Sequence, residues 1–358
     1  MDFNTSKDFI ITSGWFSSYL KDPQLPSNNT ETSIAQQLVR WLFSDAPFWR
    51  TIASSHLLKA IFIKKNEKLM RAVQNELQNM LYACFELLQY TSENTLGEIQ
   101  IGAILAILPF LEPPVEIPLV IPQKIQNQWQ LVSYRVEKIA LTPPWLGSPM
   151  TAFGLQPETA APSLLLFMGT PQPTATGWLL SVWTDFVPGL SVGQLVYRCF
   201  AKEKIASWVL SQQGTIKTYG KSLGGSLALL TAHDMPDKVS QVHGYNAAAP
   251  CFTKFPESVK VCLYIRENDP VQYLGYYPPH FELLRSITAR KDTPFFAHIR
   301  SCPGFTPLVI IKLDTKHETK RLIRKCMHVL HFLVAIPIFI ILTPILLLRA
   351  LCIRIIGN

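Results

Sequence analysis

The sequence predicts an α/β protein with a mostly parallel sheet, preceded by a helical region and followed by one transmembrane helix. Three observations lead to this prediction. The first 95 residues carry a helical repeat, apolar strand-like runs alternate with helical runs from about residue 130 onward, and 23 consecutive residues near the end contain no Asp, Glu, Lys or Arg. We therefore divide the chain into a helical region (1–112), an α/β domain (113–315) and a basic segment with a membrane anchor (316–358).

The composition of the 358 residues excludes several classes of protein. Hydrophobic residues make up 48% and charged residues 16%, against about 25% charged in an average globular chain, which excludes a mainly disordered protein. Seven basic residues and one acidic residue after position 315 carry +6 of the formal charge of +8, so the body carries only +2. A nearly neutral body argues against a nucleic-acid partner, which requires a basic face.

The seven cysteines are odd in number, scattered in spacing and without a C-x-x-C pair. This pattern is typical of free thiols in a reducing compartment rather than of a disulfide framework or a zinc site. The chain also lacks a P-loop and a dinucleotide G-x-G-x-x-G motif, so we expect no cofactor and no metal ion.

The helical region is predicted from apolar residues that recur every three or four positions, as on one face of a helix: Leu69, Val73, Leu77, Met80, Cys84 and Leu87. Ile99–Leu111 has Gln100 as its one polar residue and is too short to span a bilayer, which favours a buried helix over a membrane-surface segment. Five prolines between positions 109 and 122 then predict a stiff, extended connector.

Alternating and continuous apolar runs place the strands of the α/β domain. Trp129–Leu141 alternates, with Val132, Tyr134 and Val136 on one face, whereas Ser163–Met168 is continuously apolar, as in a strand covered on both sides. Further strands are predicted at 215–219, 242–246, 259–265 and 308–313, and a helix at 223–232. Strands that alternate with helices indicate a parallel sheet.

The most informative stretch is Gly220-Lys221-Ser222-Leu223-Gly224, which has the form G-x-S-x-G between a predicted strand and a predicted helix. The two glycines remove side chains that would collide in a tight strand-to-helix turn, and such a turn holds the serine hydroxyl exposed at the strand end. The N-terminus of the following helix stabilises negative charge that develops beside it. We therefore predict Ser222 as a nucleophile.

A serine nucleophile needs a base, and the base needs an acid that orients it; in this architecture they follow in the order Ser, Asp, His. Asp269 comes shortly after the predicted strand 259–265, at the edge where a parallel sheet places its site. Glu267 is a competing acid, and an Asx turn before Pro270 is the structural alternative for Asp269.

Three histidines that follow Asp269 are candidates for the base. His298 lies 29 residues further on, which leaves room for one helix and one short strand, and it is the predicted base. His317 follows the predicted strand 308–313 and is the alternative base, while His280 is only 11 residues from Asp269. A purely structural role for all three stays open at this point.

These stretches resemble the class 3 lipase family of α/β-hydrolases. That family shows strand-R-G-T, then G-H-S-L-G-G-A-L-A, then N-x-x-D-x-V, and the corresponding pieces here are FMGT at 167–170, GKSLGGSLA at 220–228 and ENDPV at 267–271. The resemblance covers roughly residues 130–315. The departures from the family pattern include Met168 in place of its Arg and Lys221 in place of its first His.

The resemblance implies an α/β-hydrolase-type fold and a serine esterase or lipase activity. It implies Ser222 as the nucleophile, Asp269 as the triad acid, and Thr170 with the backbone N–H of Leu223 as the oxyanion hole. It also implies an apolar lid at 171–188, for which core packing is the alternative.

The end of the chain predicts a membrane anchor. Cys326–Leu348 is 23 uncharged residues long, and about 20 apolar residues span a bilayer core as a helix, within which Pro337 and Pro344 are tolerated. A buried core helix and a hairpin in one leaflet are the alternatives. Basic residues precede the segment and a smaller number follow it: Lys320, Arg321, Arg324 and Lys325, then Arg349 and Arg354. The positive-inside rule therefore predicts a cytoplasmic body, and the basic cluster suits anionic lipid head groups.

The features together predict a membrane-tethered serine hydrolase that cleaves carboxylic esters, lipid esters in particular, through an acyl-enzyme. Two alternatives belong to other classes. One is an inactive hydrolase-fold protein that works as a membrane-anchored binding module, and the other is a serine acyltransferase.

Overall fold

The computed structural model describes residues 9–12, 31–44, 67–90, 94–144, 150–170, 178–250, 254–287, 292–302, 308–313 and 319–356. The strands are β1 Phe9–Thr12, β2 Leu119–Ile125, β3 Gln128–Ala140, β4 Thr151–Pro157, β5 Ser163–Phe167, β6 Ile216–Lys221, β7 Val239–Tyr245, β8 Lys260–Arg266, β9 Glu282–Ile287 and β10 Leu308–Lys312. They form one ten-stranded sheet in the order β1-β10-β9-β8-β7-β6-β5-β4-β3-β2.

The helices of six or more residues in the described ranges are α1 Glu31–Leu42, α2 Glu67–Tyr90, α3 Asn94–Ile107, α4 Trp178–Asp185, α5 Lys202–Ser211, α6 Leu223–Asp234, α7 Pro294–Ile299 and α8 Thr319–Ile356. Short 3₁₀ turns follow α3, at Leu108–Leu111, and β8, at Pro270–Tyr273. The molecule is therefore an α/β protein, and the strands and helices predicted from apolar patterning are present.

The sheet is parallel in its centre and antiparallel on both flanks. Strands β5 to β9 run parallel to one another, whereas β2 to β5 pair antiparallel, as do β9, β10 and β1. The prediction of a mostly parallel sheet holds for the centre only and is corrected to a mixed sheet. The reason is that the early connections are too short for a crossover helix: Gln126 and Asn127, with φ of 49° and 66°, form the two-residue turn between β2 and β3.

The proline-rich connector predicted after residue 109 contains a strand. β2 is one of the two edge strands of the sheet and includes Pro122. Proline lacks a backbone N–H and is tolerated where one side of a strand has no neighbour to pair with. The prediction of an extended connector is therefore corrected: the segment begins in the 3₁₀ turn Leu108–Leu111, continues through a turn, and is a strand only from Leu119 onward.

Helices cover both faces of the sheet. Alternate residues of β5 join two different cores, with Leu164 in the core under α2 and α3 and Leu165 in the core under α5 and α6. Leu77, Met80 and Cys84 of α2 are fully buried, which confirms the helical repeat. The apolar helix α3 is buried as well, so the prediction of a buried helix for this stretch is confirmed.

The last helix, α8, contains the one candidate membrane span found among the described residues. Val329–Leu348 has a mean hydropathy of 2.6, and only 11% of that window is buried, so it is long and apolar enough to cross a bilayer. Part of its surface packs on α4. Phe339 stacks on Trp183 with ring centroids 5.5 Å apart, and Trp183 Nε1 donates to Thr343 Oγ1 at 3.0 Å.

Candidate active site

The predicted strand–turn–helix around Ser222 is present. Strand β6 ends at Lys221, α6 begins at Leu223, and Ser222 between them has φ 54° and ψ −126°. Residues with a side chain rarely adopt a positive φ, and such strain persists only where the surrounding structure enforces it. The turn is held by Ser222 N–H, which donates to the Tyr245 carbonyl at 2.9 Å.

Close backbone packing explains the two glycines of the G-x-S-x-G motif. A Cβ on Gly220 would lie 2.3 Å from the carbonyl atoms of Gly224, and a Cβ on Gly224 would lie 2.3 Å from the Phe167 carbonyl oxygen. Backbone atoms of a sheet and a helix start cannot move aside, so only glycine fits. The same packing places the end of β5, and with it Gly169 and Thr170, against the nucleophile turn.

Ser222, His298 and Asp269 lie in one chain of contacts. Ser222 Oγ is 2.8 Å from His298 Nε2, and His298 Nδ1 is 3.1 Å from each oxygen of the Asp269 carboxylate. With its proton on Nδ1, the imidazole donates to Asp269 and accepts from the Ser222 hydroxyl. This is the geometry required for a serine nucleophile, a general base and an acid that orients it.

Asp269 is fully buried and also caps the 3₁₀ turn that follows β8. Its Oδ1 accepts from the N–H of Val271 at 2.9 Å. The Asx turn predicted as an alternative role for Asp269 therefore exists together with the His298 contact. The competitor Glu267 is partly exposed at the end of the same strand.

The other two candidate bases have different positions. His280 belongs to an aromatic group, with its ring centroid 5.1 Å from that of Phe281 and 6.1 Å from that of Phe255. His317 lies outside the described residues. Among the histidines in the described ranges, His298 is thus the one that the fold brings to Ser222.

The segment that carries His298 is α7, which is held by side chains that sequence reasoning missed. Asn246, directly after β7, has φ 50°, and its Nδ2 lies 3.0 Å from the carbonyl oxygens of both Ala297 and His298. Its Oδ1 accepts from the N–H of Arg266 at 2.9 Å. A polar residue at the end of a predicted central strand was the only sequence signal for this role.

An ion-pair cluster lies behind α7. Asp292 Oδ2 accepts from Arg266 Nε and Nη2, each at 2.9 Å, and Asp292 Oδ1 lies 3.3 Å from Arg300 Nη1. The two arginine side chains are almost completely buried. The sequence offered no signal for this cluster, because its members come from β8 and from both ends of the α7 segment.

The candidate oxyanion-hole residue Thr170 is bound to a residue of α4. Thr170 Oγ1 donates to Asp185 Oδ2 at 2.5 Å, and the other oxygen of that carboxyl group is enclosed. Burial raises the pKa of Asp185 to about 7, although the hydrogen bond from Thr170 opposes the shift. Residues 178–185 of the predicted lid form α4, in which Leu180 is buried in the core.

Replacing Asp185 with asparagine is expected to remove a pH dependence of stability. A carboxyl group whose pKa is raised on folding favours the folded state fully below its unfolded pKa, near 4, and loses that contribution as pH rises toward 7. The advantage of Asp185→Asn over the parent should therefore grow between pH 4 and pH 7, by at most about 1.4 kcal/mol per pH unit. Urea unfolding of both proteins at pH 4.5 and 7.5 measures it, and equal differences at the two pH values would contradict the raised pKa.

The described residues thus place a serine, a histidine and an aspartate in hydrogen-bonded sequence, at the ends of the central parallel strands. Such a group can form and break an acyl bond at the serine oxygen without a cofactor. No protein-family model matches this chain, and no curated protein matches its sequence.

Proposed function

We propose that this protein is a membrane-tethered serine hydrolase that resembles the class 3 lipases and cleaves carboxylic esters. The observation that carries the proposal is the unbroken series of contacts from Ser222 Oγ through His298 to the buried Asp269 carboxylate. The strained turn at Ser222 supports it, because strain of this kind is concentrated at functional sites.

The proposed reaction follows from these positions. His298 Nε2 takes the hydroxyl proton as Ser222 Oγ attacks the ester carbonyl, and Asp269 stabilises the imidazolium that forms. The backbone N–H of Leu223, at the N-terminus of α6, stabilises the negative oxygen of the tetrahedral intermediate, and Thr170 adds a second donor once its hydroxyl releases Asp185. His298 then protonates the departing alcohol, and a water molecule activated by His298 hydrolyses the acyl-enzyme.

A lipid ester is the proposed substrate, because the candidate span in α8 packs on α4, next to Thr170. His331 Nε2 lies 3.0 Å from the carbonyl oxygen of Asp185, whose side chain accepts from Thr170. A helix of this hydropathy favours the bilayer, so the site would lie close to a membrane that supplies esters. The larger basic cluster on the N-terminal side of the span supports a single spanning segment with a cytoplasmic body.

A fluorophosphonate probe tests the hydrolase proposal. We expect the folded full-length protein to be labelled at Ser222, and Ser222→Ala to stay unlabelled. A known serine esterase in the same reaction controls for the probe. An unlabelled parent protein beside a labelled control esterase would overturn the enzyme proposal and favour the binding module.

Product analysis separates hydrolysis from acyl transfer. With a short-chain ester and increasing amounts of an alcohol acceptor, a hydrolase should release mainly the free acid. A product that is mainly the new ester at low acceptor concentration would instead identify an acyltransferase.

Removing residues 319–358 is expected to release the protein from membranes, because α8 holds the candidate span. The measurement is the fraction that sediments with membranes after alkaline carbonate extraction. Replacing Val329–Leu348 with 20 leucines serves as the control and should restore sedimentation. A shortened protein that still resists extraction would show that the body carries its own membrane contact.

A further inference from the structure

Lys221 stands directly before Ser222 at the end of β6, and its side chain is enclosed, with 5% of the residue exposed. Its ammonium group donates to the carbonyl oxygens of Ile299 and, at 2.7 Å, Arg300. These carbonyls lie at the C-terminal end of α7, where a helix leaves its last acceptors without partners inside the helix. A cation is also the favoured charge at a helix C-terminus.

We propose that Lys221 is a positioning residue for His298. By fixing the end of α7 against the turn at Ser222, it keeps the imidazole within hydrogen-bonding distance of the serine hydroxyl. The inference rests on the proposed function and names a component of that same site. Lys221 then positions both Ser222 and His298, because its backbone leads into the strained turn at Ser222 while its side chain holds the helix that carries His298. The 2.8 Å contact between Ser222 Oγ and His298 Nε2 connects the turn that follows Lys221 with the helix that its side chain holds.

The contacts survive a change of charge on the amine. Burial lowers the pKa of Lys221 to about 7; the Asp269 carboxylate raises it and the Arg266 guanidinium lowers it further. Two carbonyl acceptors require two N–H groups, and a neutral amine still has two. Lys221 therefore holds the end of α7 on both sides of pH 7.

The position is also where this chain departs from the family that it resembles, since a histidine normally precedes the nucleophile there. A histidine side chain is shorter than a lysine side chain and has no ammonium group. The lysine thus supplies hydrogen bonds to the carbonyl oxygens of Ile299 and Arg300 at the end of α7.

The test compares Lys221→Met, Lys221→Arg and Lys217→Met in the full-length protein in detergent. Methionine keeps the unbranched shape but has neither donor nor charge, and arginine keeps both. Lys217 lies on the same face of β6, four residues before Lys221, and is the matched control for losing a partly buried lysine. All variants are first checked by circular dichroism and thermal unfolding.

We expect Lys221→Met to lower kcat for ester hydrolysis by about 10- to 100-fold with little change in KM, since small displacements of reacting groups have effects of this size. Lys221→Arg should recover most of the rate, and Lys217→Met should match the parent. Normal kcat and KM in folded Lys221→Met would overturn the proposal, even if the protein melts at a lower temperature.

A second measurement does not depend on turnover. The proton shared by His298 Nδ1 and Asp269 should give a low-field proton NMR signal that disappears in His298→Gln. In Lys221→Met this signal should broaden or vanish by exchange with water. A signal that stays sharp contradicts the positioning role, whereas a parent protein that shows the signal but no labelling at Ser222 contradicts the proposed function alone.

Discussion

Replacing His298 with glutamine is expected to lower kcat for ester hydrolysis by about 10⁴- to 10⁶-fold, the range seen when a triad histidine is removed. Without the imidazole, the Ser222 hydroxyl has no group at 2.8 Å to take its proton. Steady-state hydrolysis of a chromogenic ester, together with the rate of fluorophosphonate labelling, measures the loss. Because these residues act as a unit, adding Asp269→Asn to His298→Gln should lower the rate little further.

The matched control is His317→Gln. His317 is the other histidine that the sequence allows as a base, and its replacement should leave the rate within about twofold of the parent if His298 is the base. The opposite result, with His298→Gln active and His317→Gln inactive, would reassign the base. Loss of activity in neither variant would point away from a serine hydrolase.

Replacing Asp292 with alanine is expected to lower the free energy of unfolding by about 3–5 kcal/mol, because the change leaves two enclosed guanidinium groups without their shared carboxylate. The side chains of Arg266 and Arg300 are 1% and 2% exposed, and that of Asp292 is 11% exposed. In addition, loss of the cluster should loosen the segment between Asp292 and Arg300, which carries His298. Ester hydrolysis by Asp292→Ala should therefore be lost at a lower urea concentration than the one that unfolds the protein.

Urea unfolding followed by circular dichroism measures this effect. An exposed ion pair provides the comparison: Glu282→Gln breaks a 3.6 Å contact to Lys312 whose partners are 31% and 56% exposed, and it should cost less than about 1 kcal/mol. Similar losses in Asp292→Ala and Glu282→Gln would show that the buried cluster contributes no more than a surface pair.

Local patterns were sufficient for much of the fold. The continuous apolar run of β5 and the alternation in β3 depend only on which side of a strand faces the core, so they are readable one segment at a time. The antiparallel flanks were missed, because the pairing direction depends on turns such as Gln126–Asn127 and on where β1 returns to the sheet. The strand inside the proline-rich connector was missed because proline argues against a central strand but is acceptable on an edge.

For the candidate site, the sequence by itself determined the nucleophile turn and the order of its partners. The glycines at 220 and 224 are required by a turn only five residues long, and Asp269 is placed by the strand that precedes it. Only the tertiary structure brought His298 rather than His280 to Ser222, since the candidate base lies 76 residues from Ser222 and reaches it through packing of α7. The same is true of Lys221 and Asn246, whose partners are the carbonyls of that helix. Short-range sterics act within a segment and leave a sequence pattern, whereas contacts between distant segments depend on the path of the whole chain and leave none.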